Sequence, residues 1–469
     1  LFPLNDAHPA PNSSRPNILF IAIDDLRPEL GCYGNKGIHS PNLDMLATQG
    51  RCFLRAYCQE AICSPSRASL LTGSRPDTIG VIENRAYFRD LNPQIVTLPQ
   101  HFITHGYTAV YSGKIFHGRM TDEQHSWNHK PNRKGLTRPT TPGGNALPGN
   151  QRIYAENKDR MVTLYGESSS RGLIHGPAFE SAPVEDDGYV DGYNTGVAIQ
   201  TLDELVQQDK PWFLALGFVR PHLPFHAPKK YFDLYDPEEI QLPTFSEPPQ
   251  NGASMGLHAS FELRTRHGIP KSGPLNNSLS RELLHAYYAC ISYVDAQIGR
   301  IIAAIEKNRV RDNTIIVVWG DHGWHLGEHA IWGKHSLFEE SLRSPLIVVD
   351  PRMKTGRGKT SPAIVETVDI FPTLCDLAGL QPPKGLAGSS LRPYLDNPAA
   401  PARMAISYRG GAETIRTHRF RLIRHSRNGK VSHIELYDHE VDPGETKNIA
   451  EAFPDRVREL GEKLDSKLN

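Results

Sequence analysis

Two adjacent carboxylates, Asp24 and Asp25, directly follow the apolar run Asn17-Ile-Leu-Phe-Ile-Ala-Ile23. Three more such runs end in the same way. Lys114 and His117 follow Tyr107-Thr-Ala-Val-Tyr111, His222 follows Trp212-Phe-Leu-Ala-Leu216, and Asp321-His322 follow Thr314-Ile-Ile-Val-Val-Trp319. Crowded carboxylates repel one another and suit a hard cation that takes oxygen ligands. Taken alone, Asp24-Asp25 reads equally well as a turn or a helix cap. With Asp321-His322 delivered by a second run, metal binding is the favoured reading. A histidine among the ligands keeps Mg²⁺ and Mn²⁺ in competition with Ca²⁺ on ligand chemistry alone.

A different chemistry is offered by Cys63-Ser-Pro-Ser-Arg67, continued by Ala-Ser-Leu-Leu-Thr-Gly73. The pattern predicts a helix beginning at the cysteine, where the macrodipole favours negative charge. The plainer reading of a lone cysteine is a buried structural thiol.

The elements that must position these groups are short β-branched runs alternating with amphipathic stretches, the pattern of an α/β fold with a mostly parallel sheet. Pro345-Leu-Ile-Val-Val349 adds another run. In such sheets ligands gather beyond the carboxyl ends of the strands, so four runs bring their polar residues to one edge. Apolar spacing predicts a helix over 281–308, and Val365–Leu380 reads as another, ended by Gly379. Two stretches, 119–188 and 242–280, lack periodicity and read either as walls around a cleft or as surface insertions. Beyond Pro393, Met404–Tyr408, Phe420–Ile423 and Ile434–Tyr437 alternate like antiparallel strands, with a helix from about Pro454. A boundary near Asn397-Pro-Ala-Ala-Pro401 divides a catalytic domain, 1–397, from a smaller C-terminal α+β unit, 398–469.

Hydrophobic residues make up 38% and charged residues 22% of the 469, an ordinary soluble composition. Fifty-two basic residues balance fifty-two acidic ones, so no global field attracts a polyanion, which argues against nucleic acid as a partner. The apolar runs fall far short of the roughly 20 residues of a membrane span. Six cysteines form neither a zinc cage nor a dense disulfide framework, and a short Cys52–Cys58 bridge stays open. The polar stretch from Leu1 to Arg15 looks like the trimmed front of a longer precursor and makes export plausible. Only Asn12 and Asn276 head Asn-x-Ser/Thr sites. Few cysteines and few such sites fit a bacterial secreted or periplasmic protein better than a lysosomal one.

Cys63-Ser-Pro-Ser-Arg67 resembles the Cys-x-Pro-x-Arg signature of the type I sulfatase family. The likeness extends to Pro16–Pro28, Ser112-Gly-Lys-Ile-Phe-His117, Arg220-Pro-His-Leu-Pro-Phe225, Gly320–His329, Trp332-Gly-Lys-His-Ser336 and Glu435–Thr446, nearly the whole chain. Within the family it is nearest the iduronate-2-sulfatase branch, through Asp24-Asp-Leu-Arg-Pro28, Leu30-Gly-Cys-Tyr-Gly34, Arg75-Pro-Asp-Thr78 and Asp321-His-Gly-Trp324. That branch also has histidine at the position of His322. Where this chain has His226 it carries an arginine, which implies an altered sugar subsite.

The resemblance implies an alkaline-phosphatase-like large domain, with a mostly parallel mixed sheet flanked by helices, and a smaller C-terminal antiparallel sheet with a helix. It implies that a maturation enzyme oxidises Cys63 to formylglycine, and that one Ca²⁺ is held by Asp24, Asp25, residue 63, Asp321 and His322. The substrate would be a sulfated mono- or oligosaccharide. A hydroxyl of the hydrated formylglycine, deprotonated with help from Asp321, would attack sulfur. Arg67 and Lys114 would hold the diol and the sulfate oxygens, and Lys334 would contact sulfate from the other side. His222 would protonate the leaving oxygen, and His117 would be the base that helps expel sulfate. His325, His329 and His335 are expected near the site as second-tier substrate contacts. The first substrate expectation is a 2-O-sulfated uronate at a glycosaminoglycan end. The second is an algal polysaccharide such as ulvan, fucoidan or carrageenan. Rival readings are a phosphonate or phosphodiester hydrolase of the same superfamily and a non-catalytic sugar-binding relative.

Overall fold

A computed structural model describes residues 15–118, 120–170, 172–397, 400 and 403–468. Asn12, all but the last residue of the polar stretch 1–15 and four residues at the expected domain boundary lie outside this set. Seven strands build the main sheet: β1 (Asn17–Asp24), β2 (Arg51–Tyr57), β3 (Thr108–Gly113), β4 (Trp212–Pro221), β5 (Thr314–Gly320), β6 (Arg343–Val349) and β7 (Lys359–Glu366). Their spatial order is β7-β2-β6-β5-β1-β4-β3, and β6 alone runs against the other six.

The central strands are apolar throughout because both of their faces are covered. In β1, Leu19, Ile21 and Ile23 enter one core while Ile18, Phe20 and Ala22 enter the other. β5 divides likewise, with Ile316 and Val318 on the first side and Ile315, Val317 and Trp319 on the second. The first core is closed by α2 (Val190–Leu205) and the 31-residue α3 (Asn277–Lys307). The second is closed by α1 (Cys63–Thr72) and α4 (Ile370–Leu377).

The C-terminal residues form an antiparallel meander of β8 (Ala405–Arg409), β9 (Ala412–Arg416), β10 (Phe420–Arg427) and β11 (Lys430–Asp438). Helix α5 (Pro454–Leu468) covers it through Leu460 and Leu464, which pack on Ile406, Ile415, Leu422 and Leu436. Ala405, Ile423 and Tyr437 of the meander share a second cluster with Tyr57, Leu337, Phe338 and Leu342 of the main body.

Several expectations change. Val365 and Glu366 finish strand β7, and the helix begins only at Ile370 after the turn Thr367–Asp369. The 119–188 stretch contains a long helical segment, Pro148–Ser170, interrupted at Gly166. Its only buried residue is Ser170, so no apolar stripe announces it. All six cysteines are free thiols. Cys52 and Cys58 are six positions apart along one extended segment, about 20 Å at strand rise, which rules out a bridge between them. Among the described residues no helix is long and apolar enough to cross a membrane.

β3 and β4 approach so closely at their carboxyl ends that side chains are excluded. A Cβ on Gly217 would lie 2.0 Å from the Lys114 carbonyl oxygen. Gly217→Ala is therefore expected to destabilise the protein by about 1–3 kcal/mol through backbone overpacking and to displace Lys114. Denaturant unfolding checks the first effect, and a wild-type midpoint would refute the close approach.

Candidate functional site

The polar groups expected at the strand ends do converge. Asp24 is the last residue of β1, and Asp25 turns out of the strand in a left-handed conformation, φ 58°. Such backbone strain is sparsely populated and concentrates at functional sites. Asp321 follows β5, where its Oδ1 accepts the N–H groups of Asp25 and His322, each at 3.0 Å. All three carboxylates are closed to solvent.

Cations from three other elements neutralise them. Arg67, on the wholly buried α1, donates Nε to Asp321 Oδ2 at 2.8 Å and Nη2 to Asp24 Oδ1 at 3.2 Å. Its Nη1 donates to the carbonyls of Lys114 and Ile115. Lys114 Nζ bonds Asp24 Oδ2. Lys334 Nζ lies 2.8 Å from Asp25 Oδ1, 3.4 Å from Cys63 Sγ and 3.5 Å from Glu262 Oε2. Its ammonium also sits over the Trp324 ring.

Burial is the largest single influence on every member, but it does not always decide the direction. It would raise Asp24, but Lys114, His222 and Arg67 outweigh it and hold the carboxyl well below its usual range. For Asp25 burial wins against Lys334 and, with repulsion from Asp24, pushes the group well up. Asp321 is raised by burial and by Asp24, against Arg67. Burial and the neighbouring Asp24 also push the Cys63 thiol well up despite Lys114 and Lys334. His322 is held neutral by burial and Lys334. A protonated thiol beside a neutral imidazole is not an activated cysteine nucleophile.

A metal fits this pocket. Ligand atoms of Asp24, Asp25, Cys63 and His322 lie within 4.8 Å of one another, and Asp25 Oδ2 is buried without a hydrogen-bond partner. His322 Nδ1 donates to the Gly323 carbonyl at 3.0 Å, which turns the Nε2 lone pair toward Cys63 Sγ at 3.4 Å and Asp25 Oδ1 at 3.5 Å. Asp321 stands one step behind, its Oδ1 3.7 Å from His322 Nε2.

The remaining expected residues divide. His222 Nε2 is 3.9 Å from Asp25 Oδ2, while its Nδ1 donates to the Leu223 carbonyl at 2.6 Å. His117 is held near pKa 3 by burial and by Lys114, and its Nδ1 has no partner. His335 reaches the site through Glu262, at 3.1 Å. His325 and His329 do not reach it. Both are buried in a separate cluster, because the turn at Gly327 (φ 121°) and His329 (φ 53°) directs them back into the protein. His226 is also fully buried, with its ring beside Tyr189, so it does not face a solvent-open subsite. Sequence reasoning missed Glu262, which sits on a single helical turn, Phe261–Arg264, inside the irregular 242–280 stretch. It also missed Asp191, which anchors the end of β4 by accepting the N–H groups of Val219 and Arg220 at 2.9 and 2.8 Å.

The family profile described as Sulfatase matches residues 16–380, and the one described as N-sulphoglucosamine sulphohydrolase, C-terminal, matches residues 327–469. The chain is 33% identical to iduronate 2-sulfatase of Homo sapiens over 404 residues, 78% of this chain and 70% of that protein. It superposes with TM-score 0.73 at 27% identity on the phosphonate monoester hydrolase of Agrobacterium radiobacter, covering 97% of this chain and 95% of the other. A solved complex of a protein with its substrate D-glucosamine-2-N,6-O-disulfate superposes with TM-score 0.75 at 23% identity and covers 97% of both chains.

Two predictions follow from the geometry. Calcium added to chelator-treated protein is expected to raise the calorimetric unfolding midpoint, by about 2.7 kcal/mol of stability at a hundredfold excess over Kd. The double variant Asp24→Asn/Asp321→Asn should lose that response, and a midpoint indifferent to calcium in the parent protein would refute the metal reading. The second concerns Glu60, just before the cysteine motif, whose carboxyl is buried without a partner and pushed up to about 8 by burial against Arg409. A carboxyl raised in the folded state contributes stability that is complete below its ordinary value of 4.5 and is lost as pH rises to about 8. Glu60→Gln should therefore match the parent near pH 4.5, become progressively more stable above it, and level off beyond pH 8. Melting curves across that range check the sign.

Proposed function

The chain belongs to the sulfatase family, and from that premise we propose that it releases sulfate from a sulfated sugar by chemistry centred on residue 63. It is a sulfuric ester hydrolase. The observation that carries the proposal is the placing of Cys63 at the buried N-terminus of α1, with Lys334 Nζ and His322 Nε2 each 3.4 Å from its sulfur.

A sulfate ester is a poor electrophile, wrapped in anionic oxygens and carrying an alkoxide leaving group. Its hydrolysis needs charge neutralisation, a nucleophile and a proton for the departing oxygen. Asp24, Asp25, Asp321 and His322 would hold a calcium ion, which supplies Lewis acidity and charge neutralisation when bound. Formylglycine at position 63 supplies the hydroxyl nucleophile that the shielded thiol cannot. Every residue of α1 is buried, so the maturation enzyme must reach Cys63 before this helix packs.

The chain's own groups take the remaining work. Lys334 and Lys114 draw the sulfate oxygens toward residue 63. Arg67 has at most one N–H group free and is fully buried, so it braces Asp24, Asp321 and the 114–115 carbonyls and acts as a positioning residue. His222 commits its Nδ1 proton to Leu223, and burial and Lys334 favour its neutral form. It must therefore first take up a second proton at Nε2, a gain that a bound anionic ester promotes, and that proton is the one passed to the leaving oxygen. His117, held neutral, serves as the base. Glu262, between Lys334 and His335, offers an acceptor to a sugar hydroxyl or amine.

The finer reading is a 2-O-sulfated uronate at the end of a glycosaminoglycan, supported by the identity with human iduronate 2-sulfatase, in an exported protein. Sulfated algal oligosaccharides are the second choice. The likeness to a phosphonate monoester hydrolase favours one rival, cleavage of phosphonate esters.

A panel of defined sulfated oligosaccharides, together with an aryl sulfate and an aryl phosphonate monoester, tests the proposal. Sulfate release from terminal residues and a preference for the aryl sulfate are expected. Lys334→Met should lower kcat/KM on the order of 10²–10³-fold, as for loss of one transition-state donor. A preference for phosphonate would overturn the sulfatase reading, and release of internal sulfates alone would overturn terminal action.

A further inference from the structure

Outside the catalytic pocket, the described residues hold a second cluster of metal-ligand type. His325, His329 and Glu340 each offer a ligand atom within 4.8 Å of the other two. The spacing of the two histidines would align them on a helix. Here they meet by a different route. His325 opens the ribbon strand His325–Leu326, paired with Trp332–Gly333, and His329 sits in the left-handed turn between them. Their exposures are 0% and 1%.

The hydrogen bonds around the cluster set the tautomers. His329 Nε2 donates to the Gly444 carbonyl at 2.9 Å. His325 Nε2 lies 3.0 Å from Ser336 Oγ, whose own proton is directed to Ser341 Oγ at 2.8 Å, so the imidazole is the donor. Both rings therefore carry their proton on Nε2 and present an Nδ1 lone pair. These two Nδ1 atoms and Glu340 Oε2 are all buried without a hydrogen-bond partner. The main-chain carbonyl of Glu328 interacts with the His325 ring. Arg27, the nearby cation, is bonded to Glu29 and Glu328. Buried polar atoms left without a partner cost roughly 1–3 kcal/mol each. Outer partners that fix the ring tautomers are the arrangement found behind metal-ligating histidines.

We propose that His325 Nδ1, His329 Nδ1 and a Glu340 carboxylate oxygen form a second metal site that takes a divalent ion of the zinc class. Two imidazole nitrogens and one carboxylate suit such an ion, whereas calcium takes six to eight oxygens. A cavity of about 360 Å³, lined by Arg27, Glu29, Glu339, Glu340 and Arg343 among others, reaches the cluster at Glu340. The role is structural. The ion joins the ribbon that leads to Lys334 with the turn Glu339–Leu342, and His329 ties both to the loop at Gly444.

The test uses the full chain, stripped with a chelator, resupplied with excess calcium and titrated calorimetrically with zinc chloride. One equivalent of zinc is expected to bind the parent protein and to raise its melting temperature. Glu340→Gln, which keeps shape and size, should weaken binding at least about tenfold, and His325→Gln should do likewise. Asp24→Asn/Asp321→Asn, altered only in the catalytic pocket, should retain the zinc equivalent. Absence of a zinc equivalent in the parent protein would overturn the proposal without any variant. Zinc binding that survives both cluster variants, or that disappears in the catalytic double variant, would also overturn it.

Discussion

Three carboxylates buried at the ends of two adjacent strands set the terms for everything around them. Asp24 and Asp25 leave β1, Asp321 leaves β5, and none is open to solvent. Each ionised carboxylate so buried costs several kcal/mol unless it is paired. The fold supplies Arg67 from α1, Lys114 from beyond β3 and Lys334 from the ribbon after β5. With Glu262, 3.5 Å from Lys334 Nζ, four formal negative charges meet three positive ones. A divalent cation added to this balance leaves the pocket positive, which suits an anionic ester. The same balance explains why α1 is buried over its entire length: Arg67 can brace two carboxylates only from inside the protein.

That arrangement also decides what residue 63 can be. Position at a helix N-terminus would by itself favour a thiolate. Burial and Asp24 overrule it and keep the thiol protonated. A pocket built to neutralise anions thus suppresses the chemistry its cysteine would otherwise have. It remains suited to a neutral precursor converted to another functional group before the helix is enclosed.

Legibility in the sequence followed from how each group is held. β1, β4 and β5 are visible because two-sided burial leaves unbroken apolar runs, and their terminal polar residues could be read directly. β2 is obscured by Arg51 and Arg55. Their guanidinium groups donate to carbonyl oxygens of Lys359, Leu395 and Pro362, partners distant in sequence. β7 is broken by Pro362 and by exposed residues at its start. The alkaline-phosphatase-like fold and the Cys63 constellation were legible through motif order. Glu262 was not, because a single turn in an irregular segment carries no periodic signal. For His325 and His329 the sequence placed them near the site, yet side-chain direction depends on positive φ at Gly327 and His329, which a histidine-rich motif does not encode.

The C-terminal meander is tied to this same machinery rather than merely appended to it. Arg421 of β10 is fully buried, donating Nη2 to Glu339 Oε2 at 2.6 Å and Nε to Glu445. Glu445 in turn accepts the Glu339 main-chain N–H at 2.8 Å, and Glu339 accepts the Tyr57 hydroxyl at 2.9 Å. The network therefore joins the meander to β2 and to the turn five residues beyond Lys334. Removing one member of a buried ion network leaves its partners uncompensated, a larger loss than the network's own net contribution. The last strands of the chain thus help hold Lys334 in line with Asp25, although none of their residues is among the groups gathered around Cys63.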